Sequence, residues 1–257
     1  MDRAYYHQYR ELELNHWWFR GREIILQRLI RKHLGQQLDA SKTKILNVGA
    51  ATGRTSEWLR EFGAVTSVEY DQECAVMAEE FTGMQMITAS AEDLPFSDRS
   101  FDFVVAFDVI EHIENHALAA SELLRVCKST GLVFVTVPSF PFLWSEHDEI
   151  NHHFRRYRRG ELARLFAASE HQQSSYFNSW LFPLVAAVRL VKSRWQKKSQ
   201  AKSSPESDFN MSVHPWLNSI LTGLLSSEAF LLENGVRFPF GVSEFYIGKP
   251  DGDGAAL

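Results

Sequence analysis

The sequence predicts an α/β chain wound on both faces of a parallel sheet, and three observations carry that reading. From residue 44 onward, short apolar runs of strand length alternate with segments of helical periodicity. The first run, Lys44 to Val48, leads straight into a glycine loop, Gly49-Ala50-Ala51-Thr52-Gly53, that opens a helix. The second run ends on an acid, Glu69, 20 residues after Gly49.

The elements follow in order. Residues 1–40 read as helical and amphipathic, with Ile24, Ile25, Leu26, Leu29 and Ile30 as the apolar stripe and Gly35 as the stop. Strands are expected at 44–48, 64–70, 84–87, 100–107 and 132–138, the last ended by Pro138. Helices are expected at 56–62, 72–81 and 115–127. Residues 139–160 read as a long aromatic and charged loop, 161–169 as a helix and 173–180 as a strand. An apolar run from Trp180 to Val191 precedes a basic, serine-rich stretch, 192–210, expected to be flexible. A helix at 216–235 ends on Asn234-Gly235, and a last strand covers 242–248. One domain results, with an N-terminal segment 1–40, a core 41–178, a helical insertion 179–235 and a final strand and tail 236–257. No internal repeat is visible.

Composition narrows the function classes. A chain of 257 residues, 45% hydrophobic and 23% charged, can bury a full core. Its net charge of −5 speaks against a nucleic-acid partner. Cys74 and Cys127 are far apart and lack a metal-type spacing, which suits a reducing compartment. The polar, aromatic N-terminus does not read as a signal peptide. The apolar run at 180–191 is broken by Pro183 and Arg189 and falls short of the roughly 20 residues a membrane span needs. A cytoplasmic protein is expected. Residues 180–202, apolar and then basic, suit peripheral contact with an anionic membrane. A lid, a dimer face or a helical hairpin packed on the sheet fits the same residues, and oligomeric state stays open.

The glycine loop lies at the carboxyl end of the first strand, where open α/β sheets bind ligands. Backbone amides at a helix N-terminus attract polar or anionic groups, and glycine lets a ligand approach closely. Glu69 is placed to accept hydrogen bonds from both hydroxyls of a ribose. Together they imply an adenosine-type ligand. No lysine follows Gly53, so the loop is not the phosphate-cradling kind. A tight turn without a ligand and a solvated carboxylate are the plain structural alternatives.

The block ASAEDLPFSDRSFDFVVAFDVIEHI, residues 89–113, resembles the class I S-adenosylmethionine-dependent methyltransferases, especially the small-molecule group with AEDLPF, SFD and EHI. NAD enzymes share the loop and the acid but not this block. The resemblance implies a Rossmann-like seven-stranded sheet with its last strand antiparallel. It implies S-adenosyl-L-methionine as cofactor and a small or lipid-like acceptor, with oxygen the expected acceptor atom. It places Asn47, Gly49, Ala50 and Gly53 at the methionine part, Glu69 at the ribose and Tyr70 on the adenine face. Ser90, Ala91 and Glu92 would lie by the adenine, with Phe107 and Asp108 on the methyl-transfer side. Asn47, Ala51 and Ser90 depart from the family, which usually has an acid, a glycine and often aspartate there. HWWFRGRE (16–23) and SEHDEINHHFRRYRRGEL (145–162) resemble a bacterial branch whose N-terminal helical segment closes over the cofactor. Trp17, Trp18 and Phe19 would then be lid aromatics, and Arg20 or Arg22 would meet the cofactor carboxylate. Alternatively, the tryptophans anchor the helix to the core.

Catalysis is expected from Asp108, His112 and His147, the histidines because imidazole titrates near neutral pH. Quinone-type O-methyltransferases carry a set similar to Asp108-x-x-Glu111-His112, read there as a divalent-metal site. These three supply half a shell, and further ligands would have to come from His147, Asp148, His152 or His153. No metal ligand is therefore assigned, and Mg²⁺ stands as the alternative. Arg155, Arg156, Arg158 and Arg159 either grip an anionic substrate group or, for at least two of them, serve as surface charges and an internal ion pair. Two rivals remain. One is a protein that binds the cofactor without catalysis. The other is an RNA or protein methyltransferase, disfavoured because FDVIEH stands where a base N-methyltransferase carries Asn/Asp-Pro-Pro-Tyr/Phe.

Overall fold

The computed structural model describes residues 3–35, 39–196 and 213–251. Seven strands form one sheet: β1 (Lys44–Val48), β2 (Ala64–Glu69), β3 (Met86–Thr88), β4 (Phe101–Phe107), β5 (Cys127–Pro138), β6 (Ser169–Phe177) and β7 (Ser243–Pro250). Their order is β3-β2-β1-β4-β5-β7-β6. The first five pair in parallel, and β7 runs antiparallel between β5 and β6. The central strands are apolar almost without interruption, as strands covered on both faces must be. The direction of winding reverses between β1 and β4, which opens a crevice at their carboxyl ends.

Helices cover both faces. One face packs Ile45, Phe103, Val105 and Phe134 against three helices: α2 (Trp17–Leu34), α3 (Arg54–Leu59) and α9 (Pro215–Glu233). Gly21 lets α2 and α9 approach closely, because a Cβ there would meet the Leu225 side chain at 2.7 Å. The other face packs Leu46, Val104, Val133 and Val135 against α5 (His116–Val126) and the segment carrying Tyr157 and Phe166. Asp71 caps α4 (Gln72–Thr82) by accepting from the Cys74 amide, and Asn115 does the same for α5 from Leu118.

Several elements differ from the sequence expectation. The N-terminal segment is two helices. The His16 ring nitrogen accepts from the Trp18 amide and starts α2, which is part of the core, with Ile25, Leu26 and Leu29 fully buried. Helix α1 (Arg3–Asn15) runs over the glycine-loop side. There Arg10 pairs with Glu57 at 2.6 Å, and Tyr6 packs on Cys74 and Met77 of α4. The expected loop at 139–160 contains a short 3-10 turn and α6 (Glu146–Ile150), begun by a capping box of Ser145 and Asp148. A short helix, α7 (Glu161–Leu165), follows, and β6 begins four residues before the expected strand. The helix α8 (Phe182–Gln196) extends into the stretch expected to be flexible. Lys197, Lys198 and Lys202 lie outside the described residues. Among the described residues no helix is long and apolar enough to cross a membrane.

Candidate functional site

The glycine loop leaves β1 at the crevice and holds three left-handed residues, with φ of +72° at Gly49, +47° at Ala51 and +85° at Gly53. The Gly49 and Ala50 amides donate to the Val68 carbonyl, which ties the loop to β2. Ala51 adopts a left-handed conformation that costs a side-chain-bearing residue about 1 kcal/mol. Ala51→Gly is therefore expected to raise stability by about 0.5–1 kcal/mol or leave it even, as greater chain freedom in the unfolded state offsets part of the gain. Urea unfolding checks this, and a clear loss of stability counts against it.

Glu69 organises the loop from β2. Its Oε2 accepts from the Ala51 amide at 2.8 Å, and its Oε1 accepts from the Tyr70 and Asp71 amides at 2.9 and 3.1 Å. Burial raises its pKa, against the pull of those three amides. The acid thus shapes the loop, and it is not among the residues that line the cavity described below. Asn47 is buried below the loop and donates to Ser56 Oγ, which in turn meets Ser67 Oγ. It does not line the cavity described next. Tyr70 stands 78% exposed at the end of β2. Ala91 is buried, Ser90 and Glu92 are half-buried, and the Ser90 hydroxyl accepts from the Glu92 amide.

A cavity of about 530 Å³ starts at Gly49, Ala50 and Ala51 and passes Phe107, Asp108, Glu111 and His112. Trp17, Trp18 and Arg22 of α2 form one wall, and Leu184, Val185 and Val188 of α8 with Leu217 and Leu221 of α9 form the far end. Arg22 lies 5.2 Å from the Trp18 ring and 5.7 Å from the Phe107 ring. It also pairs with Asp108 at 2.5 Å. Asp108 itself is left-handed, at φ +56°. Trp18 therefore both packs on the core and walls the cavity, and Arg22 faces the site while Arg20 is exposed.

Unsatisfied polar atoms converge here. Arg22 Nε and both Glu111 carboxyl oxygens are buried without a hydrogen-bond partner, and Asp108 Oδ2 is met by the Arg22 guanidinium alone. Such atoms are costly unless a ligand completes them. A donor beside two carboxylates matches an amino acid group, which presents a carboxylate and an ammonium. The residues thus fit the methionine end of S-adenosylmethionine, which when bound supplies an electrophilic methyl group. Burial, followed by the neighbouring Asp108 charge, holds the Glu111 pKa well above the usual carboxylate range.

His112, His147 and His153 line the cavity. The His112 ring opens to the cavity and stands 4.5 Å from that of His153. Desolvation, with His153 adding to it, lowers the His112 pKa to about 4, so the ring is neutral at pH 7. His147 contacts the Asn151 side chain, and its ring lies 6.2 Å from His153. Glu111, His112 and His153 offer ligand atoms within 4.8 Å of one another. Of the four arginines, Arg156 is buried in an ion pair with Asp148 at 2.7 Å, and Arg155 donates to the Glu114 carbonyl. Arg158 and Arg159 are exposed.

Glu13 of α1 escaped the sequence reading. On a helix of mixed polarity it reads as a solvent-facing acid, yet it is buried and accepts from the Thr52 hydroxyl of the glycine loop. Burial raises its pKa to about 7. A carboxyl whose folded pKa exceeds its unfolded value, near 4.5, contributes stability below that value. The contribution is lost as pH rises through about 7. Glu13→Gln is therefore expected to flatten the fall in melting temperature between pH 5 and 7.5, and equal slopes would contradict this.

Comparison with known proteins agrees with this geometry. A family model for the methyltransferase domain matches residues 46–135. A Mycobacterium tuberculosis protein named a probable S-adenosylmethionine-dependent methyltransferase is 28% identical over 131 residues, 50% of this chain and 45% of that protein. The demethylmenaquinone methyltransferase of Chlorobaculum tepidum is 26% identical over 132 residues, 50% of this chain and 54% of that protein. The chain spans about half the length of the curated relatives it matches. Among solved structures, a Haloferax volcanii methyltransferase in complex with the Trm112 methyltransferase activator superposes with a TM-score of 0.61 at 14% identity, over 98% of this chain and 97% of that one. Phosphoethanolamine N-methyltransferase 2 of Haemonchus contortus, with S-adenosylmethionine, gives 0.55 at 16% identity over 88% of this chain and 52% of that one. At such identities the likeness shows the fold. With the strand order, the glycine loop ahead of Glu69 and the domain model matched over residues 46–135, the chain carries a methyltransferase domain similar to those of the class I S-adenosylmethionine-dependent methyltransferases.

Proposed function

We propose that the protein transfers the methyl group of S-adenosylmethionine to an oxygen of a small amphipathic, lipid-like acceptor. The observation that carries this reading is one continuous cavity that begins at the glycine loop and ends between apolar side chains of α8 and α9. Cofactor and acceptor would meet near Phe107 and Asp108. The acceptor oxygen attacks the methyl carbon, a C–O bond forms as the C–S bond breaks, and the sulfur keeps the electron pair. The hydroxyl proton passes to His112, which is neutral at pH 7 and open to the cavity. Asp108 holds Arg22 in place and acts on the cofactor side; His147 stands one histidine further out, beyond His153. The demethylmenaquinone enzymes among the relatives, whose name denotes a quinone acceptor, lend support to a lipid-like substrate.

Transfer of labelled methyl to a panel of hydroxylated amphiphiles tests this. Acceptors with an apolar tail should show a kcat/KM at least about tenfold above tail-less analogues. Transfer confined to RNA, protein or small tail-less amines would overturn the reading. A second reading has its own observation: Glu111, His112 and His153 converge, and the Glu111 oxygens have no partner. These three would hold a divalent ion, which would ionise Glu111 and orient an acceptor hydroxyl. Mn²⁺ binding followed by electron paramagnetic resonance, in wild type and Glu111→Gln, decides it without an activity assay.

A further inference from the structure

Two helices wall the far end of the cavity, and their outer surfaces are apolar too. On α8, Leu184 and Val188 line the cavity while remaining 62% and 46% exposed. Val191, one turn further along, is 56% exposed. On α9, Leu217 and Leu221 line the cavity, and Trp216 and Ile220 beside them are 60% and 57% exposed. Part of the cavity wall is therefore also protein surface. An exposed apolar area of this extent marks an interaction site.

Charge indicates what covers it. Helix α8 carries Lys192 exposed at the cavity rim and no acid, while Arg189 turns inward, donating to the Leu143 carbonyl and facing Asp148. The first 13 residues of α9, 215–227, carry no charge at all. Among the described residues the face is thus apolar, with Lys192 as its exposed cation and no acid on α8 or on 215–227, on a chain whose net charge is −5. A basic, apolar helix face lies in the interface of an anionic bilayer, where each cation near the surface contributes about 1 kcal/mol.

We propose that the α8–α9 face docks on an anionic phospholipid bilayer, so that an acceptor passes its apolar chain between α8 and α9 into the cavity without crossing water. The proposal rests on the lipid-like acceptor reading and adds where that acceptor comes from. The bilayer holds the tail, the α8–α9 lips receive it, and the reactive head reaches the cofactor end.

The test is co-sedimentation of the full chain with vesicles of phosphatidylcholine alone and with about a third phosphatidylglycerol. The variant is Val191→Ser/Trp216→Ser/Ile220→Ser, whose three positions lie outside the cavity lining. Wild type should sediment with the mixed vesicles and bind the neutral ones weakly. The variant should lose at least about tenfold in vesicle affinity while its calorimetric affinity for S-adenosylhomocysteine stays unchanged. Wild type left in the supernatant with mixed vesicles overturns the proposal, even if a detergent-dispersed amphiphile is methylated. Equal vesicle binding by the variant overturns it as well. So does a wild-type dimer that the variant dissociates in sedimentation velocity, since a second copy would then cover the face. Vesicle binding without methyl transfer supports docking and leaves the acceptor reading to fail alone.

Discussion

Asp148→Ala is expected to destabilise the protein by about 3–5 kcal/mol, the range for breaking a buried ion pair from one side. Asp148 is fully buried, and its Oδ1 accepts from Arg156 Nε at 2.7 Å and from the His153 ring at 2.9 Å. Its Oδ2 accepts from the Ser145 amide at 2.8 Å and closes the capping box that starts α6. Burial works against its ionisation, and the His153 hydrogen bond and the Arg156 charge outweigh it, holding the carboxyl well below the usual range. Alanine leaves the Arg156 guanidinium, 3% exposed, without its countercharge. Arg156 and His153 both line the cavity, so the damage extends to the cavity wall. Urea unfolding measures the loss. Asp148→Asn, which keeps an acceptor but no charge, should fall in between. A loss below about 1 kcal/mol for alanine would show that the ion pair is not the fastening of this loop.

Gly49→Ala is expected to lower affinity for S-adenosylhomocysteine by at least about a hundredfold, or about 2.7 kcal/mol. Gly49 combines a left-handed φ with a wall: a Cβ there would stand 2.4 Å from Val109 Cγ2. Relief requires the loop to withdraw from β2 or Val109 to shift, and Val109 leads into the turn that carries Glu111 and His112. Either movement displaces the amides and the carboxylates that face the ligand. Gly83→Ala is the control, because φ is +66° but nothing stands within 4 Å. It should cost about 1 kcal/mol of stability and leave binding unchanged. Calorimetric titration reads both, and near wild-type affinity in Gly49→Ala would contradict the placement of the ligand on this loop.

These residues also show what was legible in the sequence. The alternation from 44 to 138 was plain because parallel strands covered on both faces are runs of apolar residues, and glycine or proline punctuates them. The loop at Gly49 and the strand end at Glu69 were legible from spacing, since both are fixed by the same winding. The three amides that Glu69 holds were not legible, because they depend on the loop's left-handed turns. The break between α1 and α2 carries no glycine or proline; a histidine caps it. Ser145 and Asp148 did announce α6 as a capping box, a signal hidden among the charges of that stretch. Glu13 and Glu111 could not be recognised as buried carboxylates, because their burial comes from packing distant in sequence or from the fold of the turn. The cavity walls on α8 and α9 read only as apolar helices until the fold brought them together.

The central claim is that the Gly49–Gly53 loop and Glu69 form the S-adenosylmethionine site. Calorimetric titration with S-adenosylhomocysteine, wild type beside Glu69→Ala, tests it most directly. Binding near the micromolar level by the wild type, weakened at least about tenfold in the variant, is the expected result. No binding by the wild type, or equal binding by Glu69→Ala, would contradict it.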